Sequence, residues 1–279
     1  MRTIAITGGS GFIGSWLAKS LHADRVVDIS RRSGQDLAHL GNLGVRVDYC
    51  VHLAGVSDVK ECERDPQRAF EVNVEGTLRV LRWCQRSGVK GVIFASSGKA
   101  YGSGDGPVDE RQPLEPYNMY GRSKAWADYL AQGFSWTHRL PVITARLVNV
   151  YGPGDQNTAR IIPYTIDAVR RGERPVIYGD GSARRAFIYV SDVVAFFLAA
   201  LDRLEEGHEG GVFNVSTDET YPIRDVVTRI IRRMGSGLEP RFLPGDASRS
   251  DYLLRNAKAR SLGWEPRVGM DQGLQETIA

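Results

Sequence analysis

Cysteine is scarce in this 279-residue chain, long apolar runs are missing and neither charge is in large excess, and each of these removes a class of protein. The three cysteines, Cys50, Cys62 and Cys84, are odd in number and lack the spacing of a zinc site or a redox pair. Disulfide stapling, thiol chemistry and a bound metal are therefore not expected, and reduced thiols suit a cytoplasmic protein. Apolar stretches are short. The first stops at the glycines after Thr7 and the longest runs from Val193 to Leu201, so neither a signal peptide nor a membrane span is read. The 36 basic and 33 acidic residues leave a formal net charge of +3, without the basic excess that non-specific nucleic-acid binding needs. Nucleic acid and membrane are thus not expected as partners, whereas a phosphate-bearing small ligand is allowed. The chain also has no internal repeat or low-complexity tract. Its 42% hydrophobic and 25% charged residues are those of an ordinary packed protein.

What the chain does have is glycine, 31 residues, clustered where chemistry wants bare backbone. Gly8, Gly9, Gly11 and Gly14 lie between a strand pattern at Thr3 to Thr7 and a helical pattern at Phe12 to Leu21. Further strand patterns cover Arg25 to Ser30, Tyr49 to Leu53, Gly91 to Ala95 and Val142 to Leu147. Helical patterns at Pro66 to Arg86 and Tyr120 to Phe134 alternate with them. This alternation predicts right-handed βαβ units, an α/β, Rossmann-type doubly wound parallel sheet over residues 1–150. After Val150 short elements punctuated by Pro and Gly dominate. They predict a smaller C-terminal substrate-binding lobe over 151–186 and 216–279, with 187–215 returning to the first domain.

A glycine-rich turn from strand to helix lets backbone approach a pyrophosphate, and the helix N-terminus adds unpaired N–H groups and a positive dipole end. The spacing Gly8-x-x-Gly11-x-x-Gly14 departs from the ordinary G-x-G-x-x-G fingerprint. Its place at the start of an α/β pattern nevertheless points to a dinucleotide. A strand ending at Asp28 would set a carboxylate on the adenosine ribose and favour NAD. A strand running through Ser30 would instead turn Arg31 and Arg32 toward a 2′-phosphate and favour NADP. The arginine pair makes NADP(H) the preferred cofactor and NAD(H) the alternative.

Tyr120 and Lys124 stand one helical turn apart on the same face. An ammonium beside a phenol stabilises phenolate and draws its pKa from about 10 toward the range of a proton donor and acceptor. Ser97 is expected in the loop after the strand ending near Ala95, where it would hold a substrate oxygen beside the phenol.

These residues resemble the extended short-chain dehydrogenase/reductase family of nucleotide-sugar epimerases, dehydratases and ketoreductases. The resemblance extends to Thr7 to Gly14, Asp48 to Gly55, Asn73 to Thr77, Ser96 to Gly102, Arg146 to Pro153, Arg185 to Asp192, Phe213 to Val215 and Leu262 to Trp264. It implies hydride exchange between a nicotinamide and a sugar carbon, usually C4, on a nucleotide-diphosphate sugar. Tyr120 would exchange the proton, Lys124 hold the nicotinamide ribose and Ser97 position the oxygen. Cofactor contacts are implied at Gly8, Gly11, Phe12, Ile13, Gly14, Arg31, Arg32, Asp36, Leu37, Leu53, Ala54, Gly55 and Asn73, besides Tyr120 and Lys124. Substrate contacts are implied at Lys99, Asn149, Arg160, Arg185 and Arg249. A homodimer packed through the helices near Pro66 to Arg86 and Tyr120 to Phe134 is implied as well.

Three departures narrow the reaction. Dehydratases of the family carry acids just after the catalytic hydroxyl, where this chain has Gly98 and Lys99, so no carboxylate is placed to take a C5 proton. Arg160 replaces the second-lobe histidine acid of the reductase-epimerases, which counts against C3/C5 epimerisation. The span from Ser30 to Asp48 is short, as in 4-keto-sugar reductases, with Gln35, Asp36 and Leu37 keeping the adenine-contacting element. The expectation is a 4-ketoreductase of a nucleotide-linked 4-keto-deoxysugar. The alternative is a nucleotide-sugar 4-epimerase with tightly bound NAD, and a non-catalytic dinucleotide-binding member is the third reading.

Overall fold

In the computed structural model, which describes residues 1–30, 33, 40, 44–104, 106–245 and 251–279, six strands form one parallel sheet. They are β1 (Thr3–Thr7), β2 (Arg25–Ile29), β3 (Tyr49–His52), β4 (Gly91–Ser97), and the strands Val142–Leu147 and Gly210–Val215. Across the sheet the order is Gly210–Val215, Val142–Leu147, β4, β3, β1, β2, and every neighbouring pair is parallel. The chain leaves β2 on one side of β1 and re-enters at β3 on the other. That reversal opens a crevice at the carboxyl ends of β1 and β3. The architecture is the expected Rossmann-type doubly wound sheet.

Alternation along the strands sorts the core into two layers. Ile4, Ile6 and Ile93 face α1 (Phe12–Ser20) and the helix Val190–Glu205, where they pack with Leu17, Phe196, Phe197 and Trp264. Ala5, Val92 and Phe94 face the helices Gly76–Arg86 and Met119–His138. Cys50 and Cys84 lie inside this second layer as small apolar residues. A further apolar cluster, with Tyr151, Ile166, Phe187, Tyr189, Ile230 and Leu274, is also touched by Phe12, Ile13 and Trp16 of α1. The Trp16 indole donates to the Pro153 carbonyl at 3.0 Å, so α1 is anchored on two sides. Among the described residues no helix is long and apolar enough to cross a membrane.

Three boundaries differ from those the periodicity predicts. β4 continues past Ala95 because Ser96 and Ser97 still pair with Arg146 and Leu147, so Ser97 ends a strand rather than lying in a loop. β2 stops at Ile29, one residue beyond Asp28. The helical stretch after Asp65 is broken into Pro66–Phe70, a π-helical turn at Glu71–Glu75 and Gly76–Arg86. The π turn inserts an extra residue, and Asn73 on it is buried.

One polar network crosses the core. Arg146 and Asp128 form a buried bidentate pair, Nε to Oδ2 at 2.9 Å and Nη2 to Oδ1 at 3.0 Å. Ser96 Oγ and the Gln132 amide each donate to the same carboxylate at 2.7 Å. Arg146 Nη1 donates to the Tyr101 oxygen at 2.7 Å, and the Tyr101 hydroxyl donates to Asn214 Oδ1 at 2.8 Å. Desolvating such a pair costs several kcal/mol per ion, and here the carboxylate recovers it through donors on both oxygens. Asp128→Ala leaves the guanidinium buried without its counter-ion and is expected to cost about 3–5 kcal/mol of stability. Urea unfolding checks this, and a loss under about 1 kcal/mol contradicts it.

Candidate active site

A cavity of about 560 Å³ opens at the carboxyl ends of the sheet strands, bordered by the turn between β1 and α1. Gly8 takes φ +72°, and a Cβ there would stand 2.9 Å from the Ala54 nitrogen. A Cβ on Gly14 would run into the Gly8 carbonyl and the Gly9 Cα, so only glycine lets α1 start this close to the turn. Among the described residues no side chain caps the α1 N-terminus, and its first turn has no acid. Its N–H groups are therefore left for an anionic ligand. Asp28 faces the same turn. Its Oδ2 accepts from Ser30 Oγ at 2.9 Å, while Oδ1 is buried, finds no donor among the described residues and lies 2.5 Å from where a Gly9 Cβ would stand. A buried carboxylate oxygen without a donor is costly, and it marks a place where a ligand donor fits.

A buried chain of hydrogen bonds braces the turn from behind. Thr77 Oγ1 donates to the Asn73 carbonyl at 2.6 Å and so accepts from His52 Nε2 at 3.0 Å. His52 Nδ1 then accepts from Thr7 Oγ1 at 2.6 Å, and that oxygen accepts from the Ala54 N–H at 3.2 Å. This donor order assigns a neutral His52 with its hydrogen on Nε2. Burial, with the Lys124 charge acting the same way, pushes the imidazole down to about 3. Asn73 continues the brace. Its Oδ1 accepts from the Val56 N–H at 2.8 Å, and its amide donates to the Val56 carbonyl at 3.0 Å and to Ser123 Oγ at 2.9 Å.

Tyr120 enters the site from the first turn of the helix Met119–His138, whose start is capped by Asn118 accepting from the Gly121 N–H at 2.7 Å. The Ser97 side chain acts on the phenol to lower its pKa, and its Oγ accepts from the Lys99 N–H at 3.2 Å. Lys124 lies one turn further on, but its Nζ donates to the Ala95 carbonyl at 2.5 Å and sits 4.6 Å from the Phe94 ring centroid. The electrostatics therefore differ from the sequence expectation. Burial dominates and raises the Tyr120 phenol, the Ser97 side chain and then the Arg160 charge draw it back, and Lys124 does not. Burial also lowers the Lys124 ammonium to about 8.

Lys99, Asn149, Arg160 and Arg185 line the same cavity. Lys99 pairs with Asp251, as does Arg185. Arg160 immediately precedes the helix Ile161–Arg170 without capping it, pairs with Asp155 at 3.0 Å and donates to Ser57 Oγ at 3.0 Å. The cavity thus gathers Gly8, Gly11, Phe12, Ile13, Gly14, Leu53 and Gly55 with Ser97, Tyr120, Lys124 and these four. Ala54 and Asn73 do not border it. Ala54 packs under Gly8, and Asn73 is committed to Val56 and Ser123, so both act from behind. Arg31, Arg32, Asp36, Leu37 and Arg249 lie outside the described residues. Asp251 and Ser57 carry no signal in the sequence, because each is brought in by folding; Asp251 is 152 positions from Lys99.

Residues 4–216 match the NAD dependent epimerase/dehydratase family. The chain is 31% identical over 313 residues to the UDP-glucose 4-epimerase of Mycolicibacterium smegmatis, a match covering 100% of this chain and 97% of that protein. It is similar to the structure of UDP-glucose 4-epimerase from Thermotoga maritima with UDP-glucose, at TM-score 0.90 and 29% identity over 99% of this chain and 97% of that one. The Thermus thermophilus UDP-glucose 4-epimerase complexed with NAD is as similar, at TM-score 0.90 and 28% identity over the same shares. The family match runs from Ile4 in β1 to the residue after the last strand of the sheet. This chain therefore belongs to the NAD dependent epimerase/dehydratase family, the nucleotide-sugar branch of the extended short-chain dehydrogenases/reductases.

Proposed function

We propose that the protein is a nucleotide-sugar 4-epimerase working with bound NAD. The observation that carries this reading is the buried Asp28 Oδ1 beside the glycine turn, which has no donor among the described residues. A ribose 2′-hydroxyl supplies the donor it lacks, whereas a 2′-phosphate would set like charges together. The preference for NADP rests on Arg31 and Arg32, which lie outside the described residues, and Asp28 argues against it. The ketoreductase reading leans on that preference and on the short span from Ser30 to Asp48. Similarity to UDP-glucose 4-epimerases favours the epimerase instead, and Gly98 and Lys99 leave no carboxylate for a dehydratase.

The glycine turn and the uncapped α1 N-terminus would hold the pyrophosphate, Asp28 the adenosine ribose and Lys124 the nicotinamide ribose. When bound, the nicotinamide accepts a hydride from the sugar and returns it. Ser97 Oγ holds the C4 oxygen against the Tyr120 phenol. Tyr120 takes the hydroxyl proton as C4 loses hydride, then gives it back to the ketone oxygen when hydride returns to the opposite face. The C4 configuration inverts and Tyr120 ends as it began. The Ser97 side chain and the Arg160 charge offset part of the burial penalty on the phenolate. The lobe of residues 151–186 and 216–279 would hold the nucleotide sugar, with Asn149 and Arg185 at its diphosphate.

With NAD bound, the protein is expected to interconvert UDP-glucose and UDP-galactose without net NADH formation, and Tyr120→Phe to lose at least about 100-fold in kcat. Steady NADPH consumption with a 4-keto sugar nucleotide, and no interconversion, overturns the reading. Asp28→Ala is expected to weaken NAD about tenfold or more in calorimetric titration, the worth of a charge-assisted hydrogen bond. Wild-type protein binding NADP as tightly as NAD would contradict that assignment. Lys124 supplies a pH test. Its folded pKa, about 8, lies below the ordinary 10.5, so the unfolded chain binds more protons between these values and stability rises with pH there. Wild type should gain on Lys124→Met in urea unfolding as pH climbs from about 8 toward 10.5. A constant difference across that window would count against a buried charge.

A further inference from the structure

Asp251 stands in the cavity wall on a segment that the backbone holds in place. Its N–H donates to the Arg184 carbonyl at 3.1 Å, and the strand Leu253–Leu254 just beyond it pairs with Pro107–Val108. Among the described residues three donors meet its carboxylate: Lys99 Nζ at 2.6 Å on Oδ1, with Arg185 Nε at 3.2 Å and Asn149 Nδ2 at 3.4 Å on Oδ2. The side chains of Lys99, Asp251 and Arg185 are 18%, 14% and 11% exposed, so the group is largely out of water. Two cations share one carboxylate, and the three charges sum to a net positive value. Lys99 is also tied to the reacting centre, because its N–H donates to Ser97 Oγ. Burial lowers the Lys99 ammonium, and attraction to Asp251 restores part of its charge.

We propose that Lys99, Arg185 and Asn149 form an oxyanion site whose resident ligand is Asp251, and that an anionic group of the substrate binds by taking these donors from it. This rests on the nucleotide-sugar reading of the cavity. A guanidinium, an ammonium and an amide converging on two oxygens suit a phosphate and a carboxylate alike. The displacing group is therefore either the diphosphate or a carboxylate on the sugar. Because Asp251 is always present beside its donors, it competes with every incoming anion. A ligand with no anion at this point leaves the pair closed, so the wall selects for charge as well as shape.

The test is calorimetric titration of the NAD-loaded protein with inorganic pyrophosphate, UDP, UDP-glucose, UDP-glucuronate and uridine. Asp251→Asn is expected to bind the anions about tenfold tighter than wild type and uridine no differently. A gain shared by pyrophosphate and UDP assigns the diphosphate, and a gain confined to UDP-glucuronate assigns the sugar carboxylate. Equal or weaker binding of every anion by Asp251→Asn overturns the proposal. Lys99→Met alone is expected to weaken the anion that gains. Should Asp251→Asn fail to fold, unchanged binding of all the anions in Lys99→Met overturns the proposal instead. If no nucleotide binds any variant, the nucleotide-sugar reading falls, while pyrophosphate still decides whether the oxyanion site exists.

Discussion

The buried pair of Arg146 and Asp128 fixes the relation between the elements that carry Ser97, Tyr120 and Lys124. Asp128 lies one helical turn beyond Lys124 and two beyond Tyr120 on the helix Met119–His138. Ser96, which donates to Asp128, is the neighbour of Ser97 at the end of β4. Arg146 sits in the adjacent strand and reaches on to Tyr101 and so to Asn214. Any slip of helix against sheet would strand charges in the core, and that penalty holds the Ser97 end of β4 in register with the helix that carries Tyr120. A buried ion pair is a weak source of net stability, and its use as a register lock is the better account here.

The cofactor side is braced by a different device, one without charge. The chain from Ala54 through Thr7, His52 and Thr77 to Asn73 has a single donor order that satisfies each of these groups. It requires a neutral imidazole, which deep burial enforces. Asn73 then passes the constraint to Val56 and, through Ser123, to the carbonyl of Tyr120. The glycine turn and the helix Met119–His138 are in this way positioned against each other through the protein interior. The π turn that bears Asn73 is the local irregularity that this link requires.

Features set by neighbours in the chain were legible in the residues. The glycine turn, the Tyr120 and Lys124 spacing and the alternation of strands and helices depend on sequence separations of a few residues. Features set by distant partners were not. β4 runs on to Ser97 because Arg146 and Leu147, from a remote part of the chain, continue the ladder beside it. The expectation that Lys124 lowers the Tyr120 pKa followed from helical spacing alone. In the folded chain the ammonium has a carbonyl partner in β4, and burial raises the phenol. Asp251 is invisible in sequence for the same reason, since its significance comes from Lys99 and Arg185 rather than from its own neighbours.

By itself the amino-acid sequence determined the βαβ order, the bare-backbone turn before α1, and the presence of a phenol, an ammonium and a hydroxyl suited to proton transfer. Backbone geometry and side-chain periodicity are local, so they are written in consecutive residues. Only the tertiary structure decided which groups are buried, what each one faces, and that Asp28 Oδ1 has no donor among the described residues beside the glycine turn. Burial and Coulomb attraction depend on what folding brings close and what water it removes, and neither quantity exists in the chain until it is folded.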